Sequence, residues 1–62
     1  MHSLMLIMLE DAYRAASLNH WHACQTYLRS ALGLANSLHD KRRASLILAS
    51  LTHVRRAARL AA

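Results

Sequence analysis

The chain has 62 residues, of which 55% are hydrophobic, eight are Lys or Arg and three are Asp or Glu, so its net charge is +5 with neutral histidines. This length allows one small domain, in which a single core rarely supplies more than about 3–5 kcal/mol without a disulfide, a metal or self-association. Cys24 is the only cysteine, which excludes an intramolecular disulfide. The apolar excess therefore predicts self-association, most simply as a homodimer.

The N-terminal apolar run is too short for a targeting or membrane-spanning segment. Residues 4–9 are strongly apolar, but no Lys or Arg precedes them and Glu10 and Asp11 follow at once. A secretory signal needs about 7–15 apolar residues after a positive region, and a transmembrane helix needs about 20. With the single cysteine, this pattern predicts a reducing, cytoplasmic location without a transmembrane segment.

The composition predicts an all-α fold within a single domain, residues 1–62. There is no proline and only one glycine, and Ala, Leu and Arg favour helix. We expect a small helical hairpin or three-helix unit that assembles as a dimeric helical bundle. The first helix should span about residues 4–16, with an apolar stripe through Leu6, Leu9, Tyr13 and Ala16.

A second helix should span about residues 20–35. Its stripe contains Leu18, Trp21, Cys24, Leu28, Ala31 or Leu32, and Ala35. At 3.6 residues per turn, the two stripes differ in direction around the helix axis by about 80°. Either the chain breaks near residues 17–19, with Asn19 as the N-cap of the second helix, or one continuous helix buries two different faces along its length. Gly33 indicates either a close helix–helix approach or the fraying end of this helix.

A third helix should span about residues 38–60. Ser37 and Asp40 fit a capping box, in which Ser37 caps the helix and Asp40 reaches back. The stripe that follows has the spacing of a helical seam: Ala44, Ile47, Leu51, Val54, Ala58 and Ala61.

Residues 19–34 resemble the second helix of a tetratricopeptide repeat. Trp21, Tyr27, Ala31, Leu32 and Leu34 stand at matching places. The resemblance covers about a quarter of the chain. Cys24 replaces the usual small alanine, the first helix is mis-spaced and no proline closes the unit. Because at least three such repeats are normally needed for a stable solenoid, the resemblance by itself implies only a helical hairpin.

The residues with reactive side chains do not form a recognisable catalytic or metal site. His20 and Cys24 share a helix face, but His22 points elsewhere, whereas a tetrahedral zinc site needs four ligands. Glu10 and Asp11 are adjacent, about 100° apart on a helix, so they do not form a catalytic pair. We expect no metal, no cofactor and no enzymatic activity.

Two sets of residues are the candidate contact sites. The predicted oligomer or partner interface consists of Leu6, Leu9, Tyr13, Trp21, Leu28, Ile47, Leu51 and Val54. The methionine-rich end, with Met1, Met5 and Met8, is predicted to be core, dimer interface or a docking patch. The predicted contacts to an acidic partner or to nucleic acid are Lys41, Arg42, Arg43, Arg55, Arg56 and Arg59.

These features favour a protein-binding module, such as an adaptor, chaperone or inhibitor of a protein target. The alternative is a small basic DNA- or RNA-binding regulator that uses the arginine-rich last helix. The arginines have a third interpretation, as a solvated face that keeps an apolar protein in solution. Salt dependence should separate the first two, because phosphate contacts weaken steeply with salt.

Overall fold

The computed structural model describes residues 3–61 and contains three helices: α1 (Ser3–Ser17), α2 (Trp21–Ser37) and α3 (Lys41–Ala61). The all-α prediction is confirmed, and within the described part the chain has three separate helices with no strand. Met1 lies outside the described residues. None of the helices in this part combines the length and apolar composition that crossing a bilayer requires.

Two turns of the same geometry separate the helices. Asn19 and His39 adopt left-handed backbone conformations, with φ of 59° and 55°. After each of them the next N–H reaches back five residues, from His20 to the Ala15 carbonyl at 2.8 Å and from Asp40 to the Ala35 carbonyl at 2.9 Å. This is the Schellman arrangement, which satisfies the last carbonyls of a helix. The chain therefore reverses direction twice, and α1 and α3 run roughly parallel.

Both predicted N-caps are wrong, because each of these residues belongs to the end of one helix and not to the start of the next. Asn19 ends α1 rather than capping α2, where His20 is the N-cap and makes no side-chain capping bond. Ser37 ends α2, and its hydroxyl donates to the Gly33 carbonyl at 3.0 Å. Asp40 is the N-cap of α3, because its Oδ1 accepts a hydrogen bond from the Arg43 N–H at 3.1 Å. Because the left-handed residue His39 stands between the end of α2 and the N-cap Asp40, α3 begins at Lys41 instead of about residue 38.

The core lies on one side of α2. Both α1 and α3 pack against α2, and they approach each other directly at very few points. The buried residues are Met5, Ala12 and Ala15 of α1, Cys24, Leu28, Ala31 and Ala35 of α2, and Ile47, Leu51 and Val54 of α3. The described chain measures 34 × 18 × 12 Å. Small residues at the α1–α2 contact allow these two helices to lie close together.

The outer face of α2 is polar and uncovered in the single chain. Exposed residues on it include Thr26 and Ser30, whose hydroxyls donate to carbonyls four residues earlier. Gly33 belongs to this face, and a Cβ built on it would meet nothing within 4 Å. Gly33 therefore marks neither a close helix approach nor the end of α2, which continues to Ser37.

Candidate protein-docking groove

An open groove lies between α1 and α3, with α2 as its floor. Two adjoining depressions, which share Leu9, form it. The first is lined by Leu9, Arg42, Arg43, Leu46 and Ile47. The second is lined by Leu9, Ala12, Tyr13, Ala16, Cys24, Leu28, Ser50 and Val54. We call this surface the α1/α3 groove. It arises because α1 and α3 both pack on α2 without closing over each other.

Large apolar side chains stand exposed on both rims of the α1/α3 groove. On α1, Tyr13 is 79% exposed and Leu6, about one turn before Leu9 on the same flank, is 45% exposed. On α3, Leu46 is 61% exposed. Exposed apolar side chains that border one concave surface make that surface a candidate interaction site.

One end of the groove is cationic. Arg42 and Arg43 line it beside Leu46. The Arg43 guanidinium lies 2.6 Å from Oδ2 of Asp40 and donates a hydrogen bond to it. The side-chain and backbone hydrogen bonds from Arg43 lower the pKa of the Asp40 carboxyl. With two arginines and one carboxylate, this end of the groove keeps a net positive charge.

The predicted interface residues divide into two groups. Leu28, Ile47, Leu51 and Val54 are buried in the core of the single chain. Three of them, Leu28, Ile47 and Val54, nevertheless contribute to the inner surface of the groove. Leu9 and Tyr13 also line the groove. Leu6, seven residues before Tyr13, lies on the same flank of α1 at 3.6 residues per turn.

Trp21, the remaining member of the predicted interface, lies away from the α1/α3 groove. It is partly buried and borders a depression with Asn19, Ala58 and Ala61, near the C-terminal end of α3.

Leu46 is a large groove residue that the sequence pattern did not indicate. It lies outside the apolar stripe of α3, about 100° from Ile47 around the helix. The sequence did contain a signal for Leu46, since it is a large aliphatic residue outside the core stripe of a helix that is otherwise basic. It became informative only once Leu9 of α1 was placed beside it.

The six predicted basic contacts do not share one face of α3. At about 100° per residue, one sector holds Lys41, Arg55 and Arg59, the next holds Arg42 and Arg56, and Arg43 lies beside the core. Only Arg42 and Arg43 line the groove. Each of these two sectors therefore combines residues of both sequence clusters on the exposed side of α3.

The reactive side chains are dispersed. Within residues 3–61, no three side chains of His, Cys, Asp or Glu come together in a way that could hold a metal ion. Cys24 is buried beneath the groove, and burial raises the pKa of its thiol. A thiol with a raised pKa has less of the nucleophilic thiolate at neutral pH.

Comparisons of this chain with models of protein families, with curated proteins and with solved structures find no match. The similarity of residues 19–34 to a tetratricopeptide-repeat helix is thus limited to the residues already named.

Proposed function

We propose that this chain is a protein-binding module, acting as an adaptor, chaperone or inhibitor, which docks a protein target in the α1/α3 groove. The observation that carries the proposal is the position of Leu6, Tyr13 and Leu46, three large exposed side chains on the two rims of one groove. Burying such side chains against a partner is favourable by roughly 25 cal/mol per Å² of apolar surface removed from water.

Leu46 and Leu48 offer a matched pair for testing the docking site. They are 61% and 50% exposed and belong to the same helix, but Leu48 lies on the flank away from the groove. Neither substitution with Glu should disturb the core. In affinity capture from a lysate of the native cells, treated with nuclease, we expect the same stoichiometric protein partner with the wild type and Leu48→Glu, and its loss with Leu46→Glu.

The alternative of a DNA- or RNA-binding regulator predicts a different result. Recovered material would then be dominated by nucleic acid, and the associated proteins would be lost on nuclease treatment. Binding would fall steeply with salt and weaken with substitution of Arg55, Arg56 or Arg59 as much as with Arg42. That outcome would replace the proposed function.

We further propose that the chain forms a homodimer through the flank of α1 opposite the groove. Leu4 and Ile7 are exposed there. Tyr27 of α2, which is also exposed, borders a depression with Asp11 and Arg14 on the same side of α1. This region also contains the ion pair of Asp11 and Arg14, whose closest atoms are 3.6 Å apart. Because these charges balance, two copies can meet here without the repulsion expected at the cationic end of the groove.

Sedimentation equilibrium tests the dimer. We expect a dimer for the wild type and for Leu48→Glu, and a monomer for Ile7→Glu, since a charge would be buried at the interface. A wild-type monomer at all accessible concentrations would refute self-association without affecting the docking groove.

A further inference from the structure

We propose that the occupant of the α1/α3 groove is an acidic amphipathic α-helix of a different protein, with its carboxylates beside Arg42. This inference rests on the proposed function, which requires only that some protein docks in the groove.

The shape of the groove favours a helix. Its walls are two roughly parallel helices, and a fourth helix laid between them would complete a four-helix bundle over the floor formed by α2. The 15-residue α1 is about 22 Å long, which accommodates about four turns of a docked helix. An extended peptide would gain less, because the backbone groups inside α1 and α3 are already bonded within those helices and cannot pair with it.

The charge of the groove favours an acidic occupant. Its middle is apolar, through Leu9, Leu46 and Ile47, and its end carries Arg42 and Arg43. Asp40 is paired with Arg43 at 2.6 Å, so the local charge of one carboxylate and two guanidinium groups remains positive. A helix with Leu or Ile on one face and Glu or Asp on the adjoining flank matches both the apolar and the cationic parts.

The same charges disfavour a second copy of this chain in the groove. The chain has three acidic residues against eight basic ones. Two of the acidic residues, Asp11 and Asp40, already form ion pairs with arginines on their own helices. A second copy would bring a net charge of +5 to a site that is already positive. The complementary charge therefore has to come from another protein.

The helix dipoles give the occupant a direction. The N-terminal ends of α1 and α3, which carry partial positive charge, lie at the same end of the groove as Arg42 and Arg43. The C-terminal end of a docked helix carries partial negative charge. The occupant therefore lies antiparallel to α1 and α3, with its C-terminal turn at the cationic end.

Two designed peptides test this assignment by fluorescence anisotropy with the full chain. Both are acetylated, amidated 16-residue helices with the same leucine stripe, and their polar flanks carry either Glu or Lys. We expect the Glu peptide to bind at least about tenfold more tightly than the Lys peptide. Arg42→Glu should reduce or reverse this preference, whereas Arg55→Glu, on the opposite flank of α3, should reduce it much less.

Different experimental results would refute the acidic-helix inference and the proposed docking function. Equal binding of both peptides, or equal effects of Arg42→Glu and Arg55→Glu, would overturn the acidic-helix assignment. Capture of a protein partner that Leu46→Glu abolishes would still support docking in the groove. A wild-type dimer that Leu46→Glu dissociates and Leu48→Glu does not would put a second copy in the groove and overturn the inference.

Paramagnetic labels on the Glu peptide test the direction. A nitroxide at its C-terminus should broaden the amide resonances of Arg42 and Arg43, while a nitroxide at its N-terminus should broaden those of Ser50 and Val54 more strongly. The reverse pattern would overturn the antiparallel placement. Circular dichroism of each variant confirms that the helices remain folded.

Discussion

Two residues with positive φ determine where the helices end. Asn19 and His39 hold the left-handed conformation that glycine would adopt with less strain. Asparagine tolerates this conformation better than most residues, whereas His39 places an imidazole there. Because both residues follow a Ser-Leu pair, at 17–18 and 37–38, the chain repeats one turn at an interval of 20 residues. The repeated Ser-Leu pair could therefore have been used to predict both turns from the sequence.

A substitution at Gly33 tests whether this residue lies inside α2 on a face that nothing covers. It lies inside a regular helix, on the uncovered polar face, with room for a methyl group. Gly33→Ala should therefore stabilise the protein by about 1 kcal/mol, because alanine loses less backbone entropy on forming helix. For a chain of this size the melting temperature should rise by about 4–8 °C in a thermal denaturation followed by circular dichroism. An unchanged or lower melting temperature would indicate that another chain covers this face.

At the scale of helices, the two interhelical turns differ in how the following helix is capped. Asp40 accepts a hydrogen bond from the Arg43 backbone and another from its guanidinium, while His20 makes no side-chain capping bond. The start of α3 is therefore stabilised by its own first turn, and the start of α2 depends on the packing of Trp21 and Cys24. A serine, threonine or aspartate at position 20 would supply the missing cap.

The capping interaction at Asp40 predicts a pH dependence of stability. Its pKa is lowered in the folded state, chiefly by the side-chain hydrogen bond from Arg43. Its stabilisation is thus complete above the ordinary aspartate pKa of about 3.9 and is lost as pH falls through the lower folded value. Asp40→Asn keeps a capping acceptor but removes the ion pair.

Thermal melts at pH 7 and at pH 3 measure this effect. The wild type should be more stable than Asp40→Asn at pH 7, and the difference should shrink at pH 3. Asp40→Ala, which also removes the capping acceptor, should be the least stable of the three at pH 7. A wild-type advantage that persists unchanged at pH 3 would show that the carboxylate does not contribute through its charge.

At the scale of the whole molecule, stability depends on a small core shared by three helices. Leu51 is 1% exposed and Leu48, three residues earlier on α3, is 50% exposed. Leu51→Ala should cost about 2–5 kcal/mol, which is comparable to the total of about 3–5 kcal/mol that one core of this size supplies. Leu48→Ala should change stability by less than about 0.5 kcal/mol.

Urea denaturation of the two variants checks this contrast. Leu51→Ala should be largely unfolded or strongly shifted to lower urea, with Leu48→Ala close to the wild type. A large effect of Leu48→Ala would mean that its flank of α3 is buried in an assembly. Because both variants replace leucine by alanine on one helix, differences in helix propensity cancel.

The apolar stripe of α3 was predictable, while that of α1 was not. Of the six predicted seam residues, Ile47, Leu51 and Val54 are buried. Ala44 and Ala58 are half-buried, and Ala61, at the end of α3, is exposed. In α1 the bulky residues Leu6, Leu9 and Tyr13 drew the predicted stripe toward the groove, whereas Met5, Ala12 and Ala15 are the buried residues. A hydrophobic pattern that gives most weight to large residues predicts the wrong buried face for a helix that packs through alanines. Alanine is small enough to let helices approach each other, but it contributes little to the hydrophobic pattern.

The sequence by itself determined the all-α class and the buried centre of the α3 seam, since these depend on helix propensity and on the 3.6-residue period, which are local properties. It left open whether the first two helices are separate or continuous, and the structure shows them to be separate. The tertiary structure alone decided which face of α1 is buried, and it created the α1/α3 groove. A groove is a relation between two helices that are distant in the chain. Leu9 and Leu46 are 37 positions apart, and only the packing of both helices on α2 brings them together.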